Sequence, residues 1–96
     1  MDSTPPAPDT VAVTVVHSPA CHFCDDARAV LADLATEFPL TVEYVACTEP
    51  RGAALIRQHR AGMYPLVLLD GGFFSAGRLP RKKLRAQLTP RVAAVA

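Results

Sequence analysis

The stretch "VAVTVV", residues 11 to 16, limits the possible folds of this chain more than any other. β-Branched residues carry two heavy atoms on Cβ and suit an extended backbone better than a helix. A run this short and apolar reads as a strand buried on both faces, as a central strand is in a sheet covered by helices. A loop, "HSPA", follows. Two cysteines, Cys21 and Cys24, then stand two residues apart at the head of a helix-period stripe. Phe23, Ala27, Val30, Leu34 and Phe38 recur at spacings of four, three, four and four. Asp25 and Asp26 suit the positive end of that helix, and Pro39 marks its end.

Further along, "LTVEYVA" alternates well enough for a second strand, with Tyr44 on its core side. Thr48 is placed as the N-cap of a second helix, with Pro50 in the first turn. That helix is expected to reach Arg60 or Ala61 and to stop at Gly62. "LVLL" is a third strand, Asp70, Gly71 and Gly72 make a hairpin turn, and "FFSA" returns antiparallel to it. Pro80 opens a last helix in which Leu84 and Leu88 face the sheet. Tyr64, Phe73 and Phe74 are expected in the core or lining a groove.

The element order is β-α-β-α-β-β-α, an α/β chain. Right-handed crossovers at both β-α-β connections predict a mixed four-stranded sheet with helices on both faces. Residues 11 to 88 form the domain. Residues 1 to 10, acidic and Pro-rich, read as a flexible arm, and residues 89 to 96 as a helix extension or a tail.

A length of 96 residues suits one core, and a chain half hydrophobic and one-fifth charged is not disordered as a whole. Ten basic against nine acidic residues leave a formal charge of +1, which predicts no nucleic-acid partner. The basic residues are unevenly placed. Arg78, Arg81, Lys82, Lys83 and Arg85 fall within eight positions, either a solvated helix face or a site for an anion or a partner. No long apolar run follows the first residues, so neither a signal peptide nor a membrane anchor is expected, and the chain is placed in the cytoplasm as a monomer. In a reducing cytosol, cysteines two apart are catalytic or metal-binding more often than structural. Three cysteines also leave Cys47 over if Cys21 and Cys24 join.

The position of Cys21 at a helix start carries chemistry. Backbone N–H groups without intrahelical partners point toward its sulfur and favour the charged form. Free cysteine titrates near a pKa of about 8.5, whereas helix N-termini and C-x-x-C motifs give roughly 3.5 to 7.5. Cys21 is therefore expected to be partly or mostly ionised at neutral pH and to act as the nucleophile. Cys24, about one turn deeper on the same side, would attack a mixed disulfide on Cys21 and resolve it. His22 would support the thiolate as a cation or donor, and Asp25 and Asp26 would oppose it.

A strand, a loop, C-x-x-C at a helix start and a later "MYPLVLL" segment together resemble the thioredoxin fold in its minimal glutaredoxin form, over roughly residues 11 to 88. Cys-His-Phe-Cys is similar to the active sites of small bacterial glutaredoxin-like proteins. The resemblance implies that Pro65 is a cis proline beside the disulfide. The backbone of Tyr64 would then face Cys21 and bind an extended substrate by strand addition. It also implies a thiol-disulfide oxidoreductase with no bound organic cofactor, acting on a protein or low-molecular-weight disulfide. An external thiol or a thioredoxin-reductase-type partner would recharge it. The expected substrate-binding residues are His22, Phe23, Tyr64, Pro65 and Arg78. Three departures point away from direct glutathione use. Ser18 stands where a basic residue is usual, Met63-Tyr64-Pro65 replaces Thr-Val-Pro, and "SAGRLPRK" replaces the Gly-Gly-x-Asp-Asp segment. The last looks more like the Ser-Gly-Phe-Arg-Pro stretch of redoxins recharged by thioredoxin reductase.

Two other readings stay open. The first is a metal or iron-sulfur site, using His17, His22 and Cys47 beside the pair or a cluster shared through Cys21 of two copies; no second C-x-x-C supports it. The second is a redox-silent module that binds partners through the same face. Cys47 reads as a small buried hydrophobe or a further redox thiol at the edge of the sheet that carries the pair. His17 and His59 read as surface or packing residues.

Overall fold

Val11–His17 forms the first strand, β1, and both of its edges are paired. Along one edge it runs parallel to β2 (Leu40–Ala46), in a register from Val11 opposite Leu40 to His17 opposite Ala46. Along the other, Val13 to Val16 pair antiparallel with β3 (Leu66–Leu69). A fourth strand, β4 (Gly72–Ala76), completes a sheet ordered β2-β1-β3-β4. The helices are α1 (His22–Leu34), α2 (Pro50–His59) and α3 (Arg81–Val95). This computed structural model describes residues 10–95, so nearly all of the expected arm, residues 1 to 10, lies outside the described residues. The expected order and the mixed four-stranded sheet are both present.

One direction differs from expectation. The second β-α-β connection was read as a parallel crossover, yet β3 runs antiparallel to β1. Leu66 lies opposite Val16, at the end of the sheet where β2 also finishes, so α2 leaves and returns the chain at one end. An apolar run such as "LVLL" carries burial but no direction, and so periodicity does not reveal this reversal.

The two faces of the sheet are covered unequally. Val11, Val13 and Val15 of β1 meet Ala27, Val30, Leu31 and Leu34 of α1, with Leu84 and Leu88 of α3. Arg81 bonds Asp33 at 2.9 Å, and Arg85 grips both oxygens of Glu37 at 2.6 and 2.7 Å, tying α3 to the far end of α1. The Arg85 guanidinium holds the Glu37 carboxyl below the usual carboxylate range. On the other face α2 lays Leu55 and Ile56 over Val16, Leu66 and Leu68. A ten-residue helix covers one end only, and Ala12 and Thr14 are left half-buried. Arg51 of α2 bonds Glu43 of β2 across that edge.

Several local expectations need correction. The N-cap of α2 is Glu49, not Thr48, and its carboxylate turns back to accept from the Ala46 N–H at 2.9 Å. The helix ends at His59 with Arg60 in the left-handed region (φ 51°), before Gly62 is reached. Tyr44 does lie on the core side of β2, packed against the main cluster, but only half-buried under the Arg28 guanidinium, 4.0 Å from its ring centre, because β2 is an edge strand. Phe73 meets the groove rather than the core expectation, lining a groove with Leu69 and Lys83 while 55% exposed. Val67 pairs with Ser75 and Leu68 with Phe73, so Phe74 is the extra residue of a bulge in β4 and turns into the core, leaving Phe73 beside His59. Residues 89 to 95 continue α3 through Pro90, the helix-extension alternative of the expectation.

Gly52 shows how closely α2 docks on the end of β2. A Cβ there would lie 2.1 Å from Ala46 O and 3.1 Å from Cys47 Cα, both backbone atoms that cannot swing away. Alanine in a helix interior ordinarily gains roughly 0.5–1 kcal/mol over glycine. Gly52→Ala is expected to reverse that sign and lower the urea midpoint. A higher midpoint would show that α2 is not seated as described.

Candidate active site

The site is assembled at the C-terminal end of β1. Three residues after His17 the chain turns through Ala20 in the left-handed region (φ 52°), and Cys21 follows as the extended N-cap of α1 (φ −104°, ψ 107°). Its Sγ accepts from the Cys24 N–H at 3.1 Å, and its carbonyl oxygen accepts from the N–H groups of Cys24 and Asp25, each at 3.2 Å. A cysteine here does what Ser, Thr or Asp does at most N-caps, satisfying a helix donor that has no carbonyl partner. Cys21 and Cys24 form a disulfide with Cα atoms 5.1 Å apart. Cys21 is half-buried, whereas Cys24 is only 5% exposed, so one sulfur faces out and the other lies beneath it.

On the β3 side, the Tyr64–Pro65 peptide bond is cis, in agreement with the expectation, and Pro65 is fully buried immediately before Leu66. On the β2 side, the Cys47 N–H donates to His17 O at 2.8 Å. Pro65 and Cys47 thus flank the strand end from which the cysteine loop rises. The Tyr64 phenol is pushed above its ordinary value, first by negative charge on the nearby Cys47 sulfur, then by burial and by their hydrogen bond. Tyr64 itself is half-buried and Cys47 partly exposed.

Gly77, which the sequence did not single out, and Met63, noted there only as a departure from Thr-Val-Pro, complete this edge. Gly77 donates its N–H to Pro65 O at 3.0 Å and adopts φ 102°, a conformation that side chains rarely take. A Cβ at Gly77 would sit 3.4 Å from Met63 Sδ, so Met63 lies across the glycine while remaining 53% exposed. The signal was a glycine directly after a strand and before a basic residue, in "SAGR".

Among the expected site residues, Cys21, His22, Phe23 and Cys24 share the start of α1. His22 is exposed and Phe23 half-buried, their rings 6.2 Å apart. Tyr64 and Pro65 lie on the adjoining segment, and Arg78 is exposed one residue beyond Gly77. His59 belongs to α2, away from the pair, with a buried Nε2 that has no hydrogen-bond partner among the described residues. No group of three or more His, Cys, Asp or Glu side chains suited to a metal ion occurs among the described residues. Nor does any described helix have the length and apolarity to cross a membrane.

A solved structure of an uncharacterized thioredoxin-like protein from Clostridium perfringens superimposes with a TM-score of 0.70, over 88% of this chain and 73% of that one. The fold is thioredoxin-like. Identity to that neighbour is 13%, so the likeness is one of architecture alone. A protein of unknown function from Staphylococcus aureus superimposes with a TM-score of 0.59 at 16% identity, over 88% of this chain and 93% of that one. No family model matches the sequence, and no curated protein does. A disulfide-forming pair with C-x-x-C spacing at a helix N-terminus is an arrangement suited to thiol-disulfide chemistry.

The Tyr64–Cys47 contact has a measurable consequence. Cys47→Ala removes the sulfur that opposes phenolate formation, so Tyr64 is expected to ionise at lower pH than in the wild type. Ultraviolet difference titration reads this, with Tyr64→Phe isolating the Tyr44 contribution. A titration unmoved by the change would mean that the two side chains do not interact.

Proposed function

We propose that this chain is a glutaredoxin-like thiol-disulfide oxidoreductase. The observation that carries the reading is the unequal placement of the two sulfurs, with Cys21 facing out at a helix N-cap and Cys24 buried under it. In the reduced form, the N–H that donates to Cys21 Sγ, together with the positive end of α1, stabilises a thiolate there. That thiolate attacks one sulfur of a substrate disulfide, forming a mixed disulfide and expelling the other sulfur as a thiolate that takes a proton from solvent. Cys24 loses its proton and attacks Cys21 Sγ, which releases the second substrate thiol and closes the Cys21–Cys24 bond. Two electrons pass to the substrate, and two from an external reductant reopen the pair.

His22, Phe23, Tyr64 and Pro65 serve as the substrate face, with backbone groups of Tyr64 taking an extended segment by strand addition. The substrates are disulfides of proteins or small thiols. The reductant is a low-molecular-weight thiol or a thioredoxin-reductase-type enzyme, and Ser18 and the "SAGRLPRK" segment favour a reductant other than glutathione. The reading includes a cytoplasmic monomer without a bound cofactor.

The test is direct. Cys21→Ser should abolish reduction of insulin or a model disulfide, and Cys24→Ser should trap a mixed disulfide visible on a non-reducing gel. Activity that survives Cys21→Ser contradicts the assignment. So does a stoichiometric zinc or iron content without a reversible disulfide, which would favour the metal-binding reading.

A further inference from the structure

An open groove of about 740 Å³ runs between α1 and the start of α3, on the side of the molecule away from α2. Its walls carry Arg78, Arg81, Lys82 and Lys83, all exposed, and its floor is Val30, Leu79 and Pro80. Asp26 is the one carboxylate among the described lining residues.

The placement of these cations runs against local electrostatics. A helix N-terminus carries partial positive charge and favours Asp or Glu in its first turn. α3 opens instead on Arg81, Lys82 and Lys83, with no acidic residue in that turn. Only part of this conflict is relieved within the chain. Arg81 reaches Asp33, and the Lys83 ammonium lies 5.8 Å from the centre of the Phe74 ring. Among the described residues Arg78 and Lys82 make no ion pair. A local rule broken with only partial internal compensation is what a functional site is expected to show.

The groove's dimensions and lining narrow the occupant. Its volume lies in the range of pockets that enclose drug-sized ligands, well above the space a lone carboxylate or phosphate fills. Four cations around an apolar floor complement an extended segment with several carboxylates and an apolar side chain between them. The groove also adjoins the substrate face. Asp26 lies two residues beyond Cys24, and Arg78 follows the glycine bonded to Pro65.

We propose that this groove docks an acidic peptide segment of the protein partner whose disulfide the Cys21–Cys24 pair exchanges. The identity of the partner rests on the proposed function, but the binding itself needs no redox step. Arg78 and Lys82 meet carboxylates, and Val30 and Leu79 receive the apolar side chain. Docking would raise the local concentration of the partner's disulfide beside Cys21 and so lower KM more than it changes kcat.

The test uses the full oxidised chain and a short, cysteine-free fluorescent peptide of Glu and Asp around a central Leu, read by anisotropy. Matched peptides with Gln or Lys in place of the acids serve as comparators. The acidic peptide should bind at least about tenfold tighter than the Gln peptide. It should weaken as salt rises from about 0.01 to about 0.15 M, over which the Debye length falls from roughly 30 to roughly 8 Å. Lys82→Glu combined with Lys83→Glu should abolish binding, with circular dichroism confirming the fold. Arg57→Glu with Arg60→Glu, an equal charge change on the α2 side, should leave binding at about 0.15 M salt within about twofold, since charges beyond a Debye length of roughly 8 Å are screened. Equal losses in both double variants, equal binding of all three peptides, or displacement by equimolar inorganic phosphate or glutathione would each overturn the proposal. Because the peptide has no sulfur, it binds or fails to bind whether or not the pair exchanges disulfides.

Discussion

The hydrogen bond from the Cys24 N–H to Cys21 Sγ joins the backbone of this protein to its chemistry. A helix leaves its first N–H groups unpaired, and something must accept from them. Here the acceptor is a sulfur, so the group that completes the helix is also the group positioned to react. The bond exists only if α1 begins at His22 and the preceding loop delivers Cys21 to its tip. That in turn depends on β1, which is held along both edges and packed under α1 by Val13 and Val15. Changes in that core would be felt at the sulfur through the angle at which α1 meets the sheet.

The sheet also gathers the other parts of the site. β1 ends at His17, with Cys47 bonded to its carbonyl on one side and the Pro65 segment leading into β3 on the other. Gly77 then bonds Pro65 O and brings the β4–α3 connection to the same edge. Residues separated by more than fifty positions in sequence thus meet through backbone hydrogen bonds. Such bonds hold their groups more firmly than long side chains do, because little rotamer entropy opposes them.

Much of this was legible in the residues. The β-branched run gave β1, the spacing of Ala27, Val30 and Leu34 gave the buried face of α1, and Leu84 and Leu88 gave that of α3. Those are periodic signals, set by which side of an element faces the core. The reversed direction of β3 left no such trace, because "LVLL" is buried whichever way it runs. Of the two expectations for Phe73, core or groove, it meets the second, lining a groove with Leu69, Phe74 and Lys83. The bulge in β4 changes which side of the strand faces the core, and neither residue of the pair Phe73-Phe74 announces it. Thr48 was the more common capping residue, but α2 begins at Pro50, which leaves Glu49 at the cap with its carboxylate turned back to the Ala46 N–H. At the site, the cysteine pair and Pro65 stood out by type and spacing. Met63, Gly77 and the Tyr64–Cys47 contact did not, since each depends on strands that only the fold brings together.

The central claim, a thiolate at Cys21 stabilised by the end of α1 and a shielded partner at Cys24, is most directly tested by alkylating the fully reduced protein across a pH series. Mass spectrometry would assign the modified cysteine at each pH. The account predicts that Cys21 is modified first, with a midpoint below the value of about 8.5 for free cysteine, while Cys24 stays protected. Equal reactivity of the two thiols, or a Cys21 midpoint at or above the free value, would contradict it.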